Sequence, residues 1–214
     1  MKETIVLLPG WTKREPSYKE LINTTPEGYE VLIARHYNLA PHGQINNLKE
    51  NFLKFLDAKK LEKITLVGHS LGGALGIELA ITCSDHVNKL FLIGSAGIYG
   101  QETISQLLMN QILNFSIKKR FKSIDNLRNI PQFTRHLRTH IKLGLYAFKA
   151  DLKEQAQQIK VPTTILWGEK DVINPLWQGE KLQELISHSK LVVLEDMDHD
   201  WILHSPEKFW ENIK

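Results

Sequence analysis

The chain has 214 residues, 42% of them hydrophobic, and a formal net charge of +3. A chain of this size buries a full core in one α/β domain, so a second domain is not required. It contains no run of 18 apolar residues, which excludes an ordinary membrane-spanning helix. One cysteine, Cys83, excludes an internal disulfide framework, and no signal-peptide stretch precedes Pro9. We therefore expect a cytoplasmic protein.

Strand-like and helix-like segments alternate along the chain. Apolar and β-branched runs predict six strands, at residues 4–8, 29–34, 63–67, 89–94, 163–167 and 190–195. Helical spacing of apolar residues predicts helices at residues 16–24, 44–58, 71–83, 176–187 and 206–213. This alternation predicts an α/β fold with a mostly parallel sheet of about six strands, flanked by helices.

A G-x-S-x-G motif at residues 68–72 follows the third predicted strand and opens the next helix. The sharp turn is expected to impose strained backbone angles on Ser70, and glycines at 68 and 72 prevent Cβ clashes between strand and helix. Ser70 Oγ then projects from the sheet edge, with the N–H of Leu71 directed to where an oxyanion would form. The alternative is that Ser70 is only a helix N-cap and both glycines serve packing.

An acid and a histidine follow two later strands. Asp171 comes after the strand at 163–167, and His199 comes after the strand at 190–195, before a helix opened by Pro206. The carboxyl ends of parallel strands lie on one edge of a sheet, which is where ligands bind. Ser70, Asp171 and His199 are therefore predicted to meet there.

With a serine, an aspartate and a histidine in this chain order, the sequence resembles an α/β-hydrolase of the lidded esterase and carbon–carbon hydrolase type. Residues 5–11 resemble the family's first strand and oxyanion loop, with Pro9 in place of the usual histidine. Residues 199–209 resemble its His-x₆-Pro-Glu-x-Phe ending, with Asp198 in place of the usual glycine. The resemblance covers nearly the whole chain. It implies a catalytic triad of Ser70, Asp171 and His199, and backbone oxyanion donors at Leu71 and Trp11.

Residues 97–158 interrupt the alternation and are predicted to form a helical lid inserted after the strand that ends at Gly94. The core then comprises residues 1–96 and 159–214. Helix-like pieces of the lid lie at residues 105–114, 118–127, 132–146 and 151–159. Most of their apolar side chains are expected to pack against the core and the rest to contact substrate, which favours an ester with an apolar part.

The predicted lid is strongly basic. Residues 117–142 contain eight lysines and arginines against one acidic residue, Asp125. The simpler interpretation is a solvated outer face, and the alternative is attraction of anionic substrates or of an anionic membrane surface. We expect no nucleic-acid partner, because stacking aromatics and a known nucleic-acid module are absent from the sequence.

The sequence gives less support for a functional role of the other histidines. His199, Asp200 and His204 suggest a metal site, but their spacing does not place them on one helical face, so we expect no metal and no cofactor. His69, inside the motif, is expected to pack, and His42 is expected in a solvated loop.

These observations predict a serine hydrolase, specifically a carboxylesterase for short to medium acyl esters. His199 would act as general base on Ser70, and Asp171 would fix the tautomer of His199. A thioesterase, a carbon–carbon hydrolase and a cofactor-free perhydrolase would use the same residues. A non-catalytic small-molecule receptor on this fold is the alternative from another class.

Overall fold

A six-stranded parallel sheet forms the centre of the molecule in the computed structural model, which describes residues 2–99 and 136–213. The strand order is β2-β1-β3-β4-β5-β6, and every neighbouring pair is parallel. This arrangement confirms the predicted fold class. The strands are β1 (Glu3–Leu8), β2 (Tyr29–Ile33), β3 (Ile64–His69), β4 (Val87–Ile93), β5 (Thr163–Gly168) and β6 (Ser189–Leu194).

The central strands are largely buried because helices cover both faces of the sheet. All six residues of β3 are buried, whereas the edge strands β2 and β6 are largely half-buried. Alternate side chains of β1 enter two separate cores: Val6 and Leu8 pack in one, Ile5 and Leu7 in the other.

Eight α-helices are present in the described ranges: α1 (Lys19–Asn23), α2 (His36–Leu39), α3 (Leu48–Lys59), α4 (Leu71–Thr82), α5 (Leu137–Lys149), α6 (Lys153–Ala156), α7 (Leu176–Leu185) and α8 (Glu207–Trp210). Helices α3, α4 and α7 contribute to the first core, and α1 and α8 to the second. Two predicted helices are shorter than expected. The segment 16–24 begins with a 3₁₀ turn at Pro16 before α1 starts, and 206–213 contains only the four residues of α8.

The structure describes only part of the predicted lid. The helix-like pieces at 105–114 and 118–127 lie outside the described residues, as does most of the basic segment 117–142. Helix α5 overlaps the piece predicted at 132–146, and α6 lies within 151–159. The Leu152 N–H donates to the Gly97 carbonyl oxygen at 2.7 Å, which ties the two ends of the segment together.

The described helices are also too short or too polar to cross a bilayer: none of them meets the length and hydropathy of a membrane span.

Candidate active site

Ser70 lies on the turn between β3 and α4, with φ 55° and ψ −117°. A positive φ is uncommon for a residue with a side chain and marks the strained conformation that the motif predicts. Contacts from the end of β4 keep the turn in place. The Ser70 N–H donates to the Ile93 carbonyl oxygen at 2.9 Å, and the Ser70 carbonyl oxygen accepts from the Ala96 N–H at 3.0 Å.

The two glycines of the motif allow close backbone packing around this turn. A Cβ on Gly68 would lie 2.5 Å from the Gly72 carbonyl oxygen, at the start of α4. A Cβ on Gly72 would collide with the carbonyl oxygen of Leu8, at the end of β1. Gly68 thus permits the strand-to-helix crossing, whereas Gly72 lets α4 approach the neighbouring strand.

Asp171 lies buried in the loop after β5, and hydrogen bonds occupy both carboxylate oxygens. Oδ1 accepts from the backbone N–H groups of Ile173 and Asn174, each at 2.9 Å. Oδ2 lies 2.7 Å from Nδ1 of His199. The two backbone donors fix the rotation of the carboxylate, so Oδ2 is held towards the histidine.

His199 lies buried in the loop after β6, and its ring orientation follows from the Asp171 contact. A carboxylate oxygen accepts, so Nδ1 carries the proton in the neutral ring and Nε2 is the basic nitrogen. Burial lowers the pKa of His199, but the charge and hydrogen bond of Asp171, helped by the charge of Asp200, outweigh it and raise the pKa above the ordinary value of 6.5.

The residue directly after β4, Gly94, packs closely against Asp171 and His199. Gly94 has φ +47°, and a Cβ there would lie 3.1 Å from Asp171 Oδ2 and 3.2 Å from His199 Nδ1. The side-chain Nδ2 of Asn174 donates to the Gly94 carbonyl oxygen at 2.7 Å. The sequence gives no sign of this role for Asn174, because its partner lies 80 residues away in the chain and no motif marks it.

Trp11 and Leu71 carry the two backbone N–H groups predicted to bind an oxyanion. Leu71 is the first residue of α4, where an N–H has no intrahelical acceptor. Neither N–H donates a hydrogen bond within the described ranges. The Trp11 indole Nε1 donates to the His140 carbonyl oxygen at 2.8 Å, which anchors the Trp11 loop to α5.

His69, His199 and Asp200 each place a potential metal-ligating atom within 4.8 Å of the others. Hydrogen bonds already involve these groups: Asp200 Oδ2 pairs with Lys13 Nζ at 3.0 Å, and His199 Nδ1 with Asp171. His204, whose place in the sequence suggested a metal site with His199 and Asp200, instead contacts Asp198 Oδ1 through Nε2 at 3.1 Å. The geometry therefore suits a hydrogen-bonded acid–base site.

The pH dependence of activity should report the raised pKa of His199. The predicted role of His199 as general base requires an unprotonated ring, so kcat/KM is expected to rise with pH through a pKa above 6.5. Asp200→Asn removes one of the charges that favour the imidazolium, so the acid limb should move to lower pH. The measurement is the pH profile of kcat/KM on a neutral ester.

Asp198→Asn is the matched control for that experiment. Asp198 directly precedes His199, but the charges that raise the pKa of His199 are those of Asp171 and Asp200. Asp198 Oδ1 accepts from the Asp200 N–H at 2.9 Å and contacts His204, so it serves the local turn. Asparagine retains that oxygen, and the profile should overlay the parent. A shift in Asp198→Asn with none in Asp200→Asn would contradict this assignment.

The comparisons with known proteins agree with this architecture. The family model described as serine aminopeptidase, S33, matches residues 44–206. A 2-hydroxy-6-oxononadienedioate/2-hydroxy-6-oxononatrienedioate hydrolase of Pseudomonas putida is 24% identical over 92% of this chain and 82% of its own length.

Among solved structures, a bromoperoxidase from Bacillus anthracis superposes with a TM-score of 0.80 at 18% identity, covering 99% of this chain and 90% of its own. An esterase from Exiguobacterium antarcticum superposes with a TM-score of 0.73 at 22% identity, covering 99% of this chain and 90% of its own. The chain is a hydrolase: it belongs to the α/β-hydrolases, in the family described as serine aminopeptidase, S33.

Proposed function

We propose that this hydrolase is a serine carboxylesterase that cleaves short to medium acyl esters through an acyl-enzyme. The observation that carries the proposal is the 2.7 Å contact between His199 Nδ1 and Asp171 Oδ2 on the sheet edge that also carries Ser70. The His199 ring centroid lies 5.4 Å from that of His69, the residue directly before Ser70. A base fixed by a carboxylate beside a serine on a strained turn is the arrangement that nucleophilic catalysis requires.

The mechanism follows from the roles that these groups can fill. His199 Nε2 takes the proton of Ser70 Oγ as the oxygen attacks the ester carbonyl carbon, and the Trp11 and Leu71 N–H groups stabilise the oxyanion. His199 then returns the proton to the departing alcohol. Water, deprotonated by His199, attacks the acyl-enzyme and releases the acid and Ser70. Asp171 keeps the Nδ1 proton in place and stabilises the imidazolium. The proposed mechanism requires no metal or organic cofactor.

An apolar surface on α5 supports a substrate with an apolar part. Leu137, Ile141 and Leu145 are exposed by 42%, 52% and 49% and are spaced four residues apart, so they lie on one face of the helix. The same helix contacts the proposed oxyanion loop through Trp11. We propose that part of this face contacts the acyl or alkyl chain.

Carbon–carbon hydrolysis is the second candidate, because the relative from Pseudomonas putida bears the name of such an enzyme. The proposed nucleophile, base and oxyanion donors would serve that reaction as well. We also propose a cytoplasmic location, supported by Cys83, which is a buried free thiol.

A substrate panel tests this proposal. It should contain p-nitrophenyl esters from acetyl to dodecanoyl, matched thioesters, and a 2-hydroxy-6-oxo-dienedioate. We expect the highest kcat/KM on short to medium neutral esters. Preferred turnover of the dienedioate would replace the esterase proposal with the carbon–carbon hydrolase. Tight binding without turnover of any compound would indicate a receptor.

A further inference from the structure

A buried chain of hydrogen bonds connects the Trp11 loop to the loop that carries His199. The Gly10 N–H donates to the Tyr18 hydroxyl oxygen at 2.9 Å. The same hydroxyl lies 2.8 Å from His69 Nδ1, and His69 Nε2 lies 3.2 Å from the His199 carbonyl oxygen. Tyr18 and His69 both have no exposed surface.

The Gly10 N–H and the His199 carbonyl oxygen, at the two ends of this hydrogen-bond chain, determine where its protons lie. The His199 carbonyl oxygen can only accept, so His69 Nε2 carries a proton. In the neutral ring Nδ1 is then an acceptor, and the Tyr18 O–H donates to it while its oxygen accepts from Gly10. Every donor thus meets an acceptor only while His69 and Tyr18 are both uncharged.

The surroundings favour that uncharged state. Burial, together with the charge of His199, lowers the pKa of His69 to about 3, although the charge of nearby Asp200 acts in the opposite direction. Burial also raises the pKa of Tyr18 far above its ordinary value. Across the pH range in which an esterase would work, His69 and Tyr18 therefore both stay uncharged, and the hydrogen-bond chain has a single protonation state.

We propose that Tyr18 and His69 are positioning residues that set the distance between the oxyanion donor and the general base. Gly10 directly precedes Trp11, so the hydrogen bond that the Gly10 N–H donates to Tyr18 fixes the peptide next to the proposed oxyanion donor. The bond from His69 fixes the backbone of the proposed base. This inference rests on the proposed function, and it assigns a role to a histidine that the sequence suggested only for packing.

The proposal predicts an effect on turnover rather than on substrate affinity. An oxyanion exists only near the transition state, so a displaced Trp11 N–H raises the barrier without weakening ground-state binding. A displaced His199 backbone has the same consequence, because proton transfer requires hydrogen-bond distance. A role confined to packing would instead lower thermal stability and leave kcat of the folded enzyme unchanged.

The experiment compares three variants with the parent. Tyr18→Phe removes only the hydroxyl, His69→Leu removes both ring nitrogens, and His69→Gln retains a terminal N–H that can reach the His199 carbonyl. We expect Tyr18→Phe and His69→Leu to lower kcat about tenfold with KM unchanged, and His69→Gln to recover part of the loss. Because Tyr18 and His69 act through one chain, combining the first two variants should lower kcat by less than the product of the single effects.

Thr163→Val is the matched control. Thr163 is also buried, and its hydroxyl donates to the Val161 carbonyl oxygen at 2.9 Å, but it lies at the start of β5, opposite the strand ends that carry the site. This variant also loses one buried hydroxyl bond, so its thermal stability should fall while its kcat stays at the parental value.

A second measurement does not depend on esterase activity. The pKa of His199 can be followed by NMR of the ring in each variant. A neutral His69 contributes no charge, so its removal changes this pKa only by loosening the bond between His199 and Asp171. We expect the pKa of His199 to fall in His69→Leu, to recover in His69→Gln, and to stay unchanged in Thr163→Val.

The outcomes separate this inference from the proposed function. A parent that hydrolyses no ester refutes the function, and the NMR titration still decides the inference. An active parent whose Tyr18 and His69 variants keep parental kcat and His199 pKa refutes the inference alone. If His69→Leu does not fold, the kcat and the His199 pKa of Tyr18→Phe and His69→Gln still test the inference.

Discussion

Replacing Ser70 with alanine is expected to abolish ester hydrolysis and leave the fold intact. The loss of kcat should reach about 10⁶-fold, the scale seen when a nucleophile is removed from a serine hydrolase. The change deletes one hydroxyl, and Ser70 Oγ makes no hydrogen bond within the described ranges. Alanine and serine both bear a Cβ, so the positive φ at this turn strains them about equally.

The measurement for this variant is the rate on p-nitrophenyl butyrate, together with the thermal unfolding temperature. Ser95→Ala is the control: Ser95 is buried near the same turn and donates to the Ala96 carbonyl oxygen at 2.9 Å. It should lose stability and retain activity. Substantial hydrolysis by folded Ser70→Ala would place the nucleophile at another residue.

Asp171→Asn is expected to lower kcat by about 10⁴-fold, as in serine protease triads. The structure explains why an isosteric change should be so damaging. The Ile173 and Asn174 N–H groups both donate to the position of Oδ1, so in the asparagine variant the amide oxygen must lie there. The NH₂ group then takes the position of Oδ2 and faces His199 Nδ1. Nδ1 must then accept, the proton moves to Nε2, and the histidine can no longer take the proton of Ser70.

Asp196→Asn provides the comparison for this variant. Asp196 is exposed and pairs with Lys170, so its replacement should leave kcat near the parental value. Both enzymes are assayed by kcat/KM at a pH above the acid limb. If Asp171→Asn costs less than tenfold while Asp196→Asn or Asp198→Asn costs more, another carboxylate orients the base.

Most of the sheet could be predicted because its central strands are buried on both faces and read as apolar runs. Each observed strand overlaps its prediction, and differences occur at the ends. Strand β3 continues to His69, beyond the predicted end at 67, because Gly68 and His69 still pair with Leu92 and Ile93 of β4. The local pattern assigned those two residues to the turn motif, whereas pairing with a neighbouring strand extends the ladder.

The helices were predicted less well where tertiary contacts replace helical propensity. Residues 201–203 form a 3₁₀ turn whose Trp201 is fully buried, and α8 is only one turn long, with Phe209 in the second core. Apolar spacing suggested a longer helix at 206–213, and α8 is its α-helical part. Packing against the sheet, and not the intrinsic stability of the helix, determines where these turns lie.

The contacts of the candidate site were likewise only partly predictable from the sequence. The meeting of Asp171 with His199 was predictable, because each follows a strand and parallel strands end on one edge. The pairing of Tyr18 with His69, 51 residues apart, and of Lys13 with Asp200, 187 residues apart, was not. These contacts depend on loop conformations for which the sequence carries no periodic signal.

Intact-mass analysis with a fluorophosphonate, followed by peptide mapping, tests the central claim most directly. A fluorophosphonate reacts with a serine only where a base removes its proton and donors stabilise the oxyanion. We predict one adduct per chain on Ser70, much slower labelling in Asp171→Asn, and no labelling in Ser70→Ala. An adduct on a different residue, or an enzyme that hydrolyses esters without being labelled, would contradict covalent catalysis by Ser70.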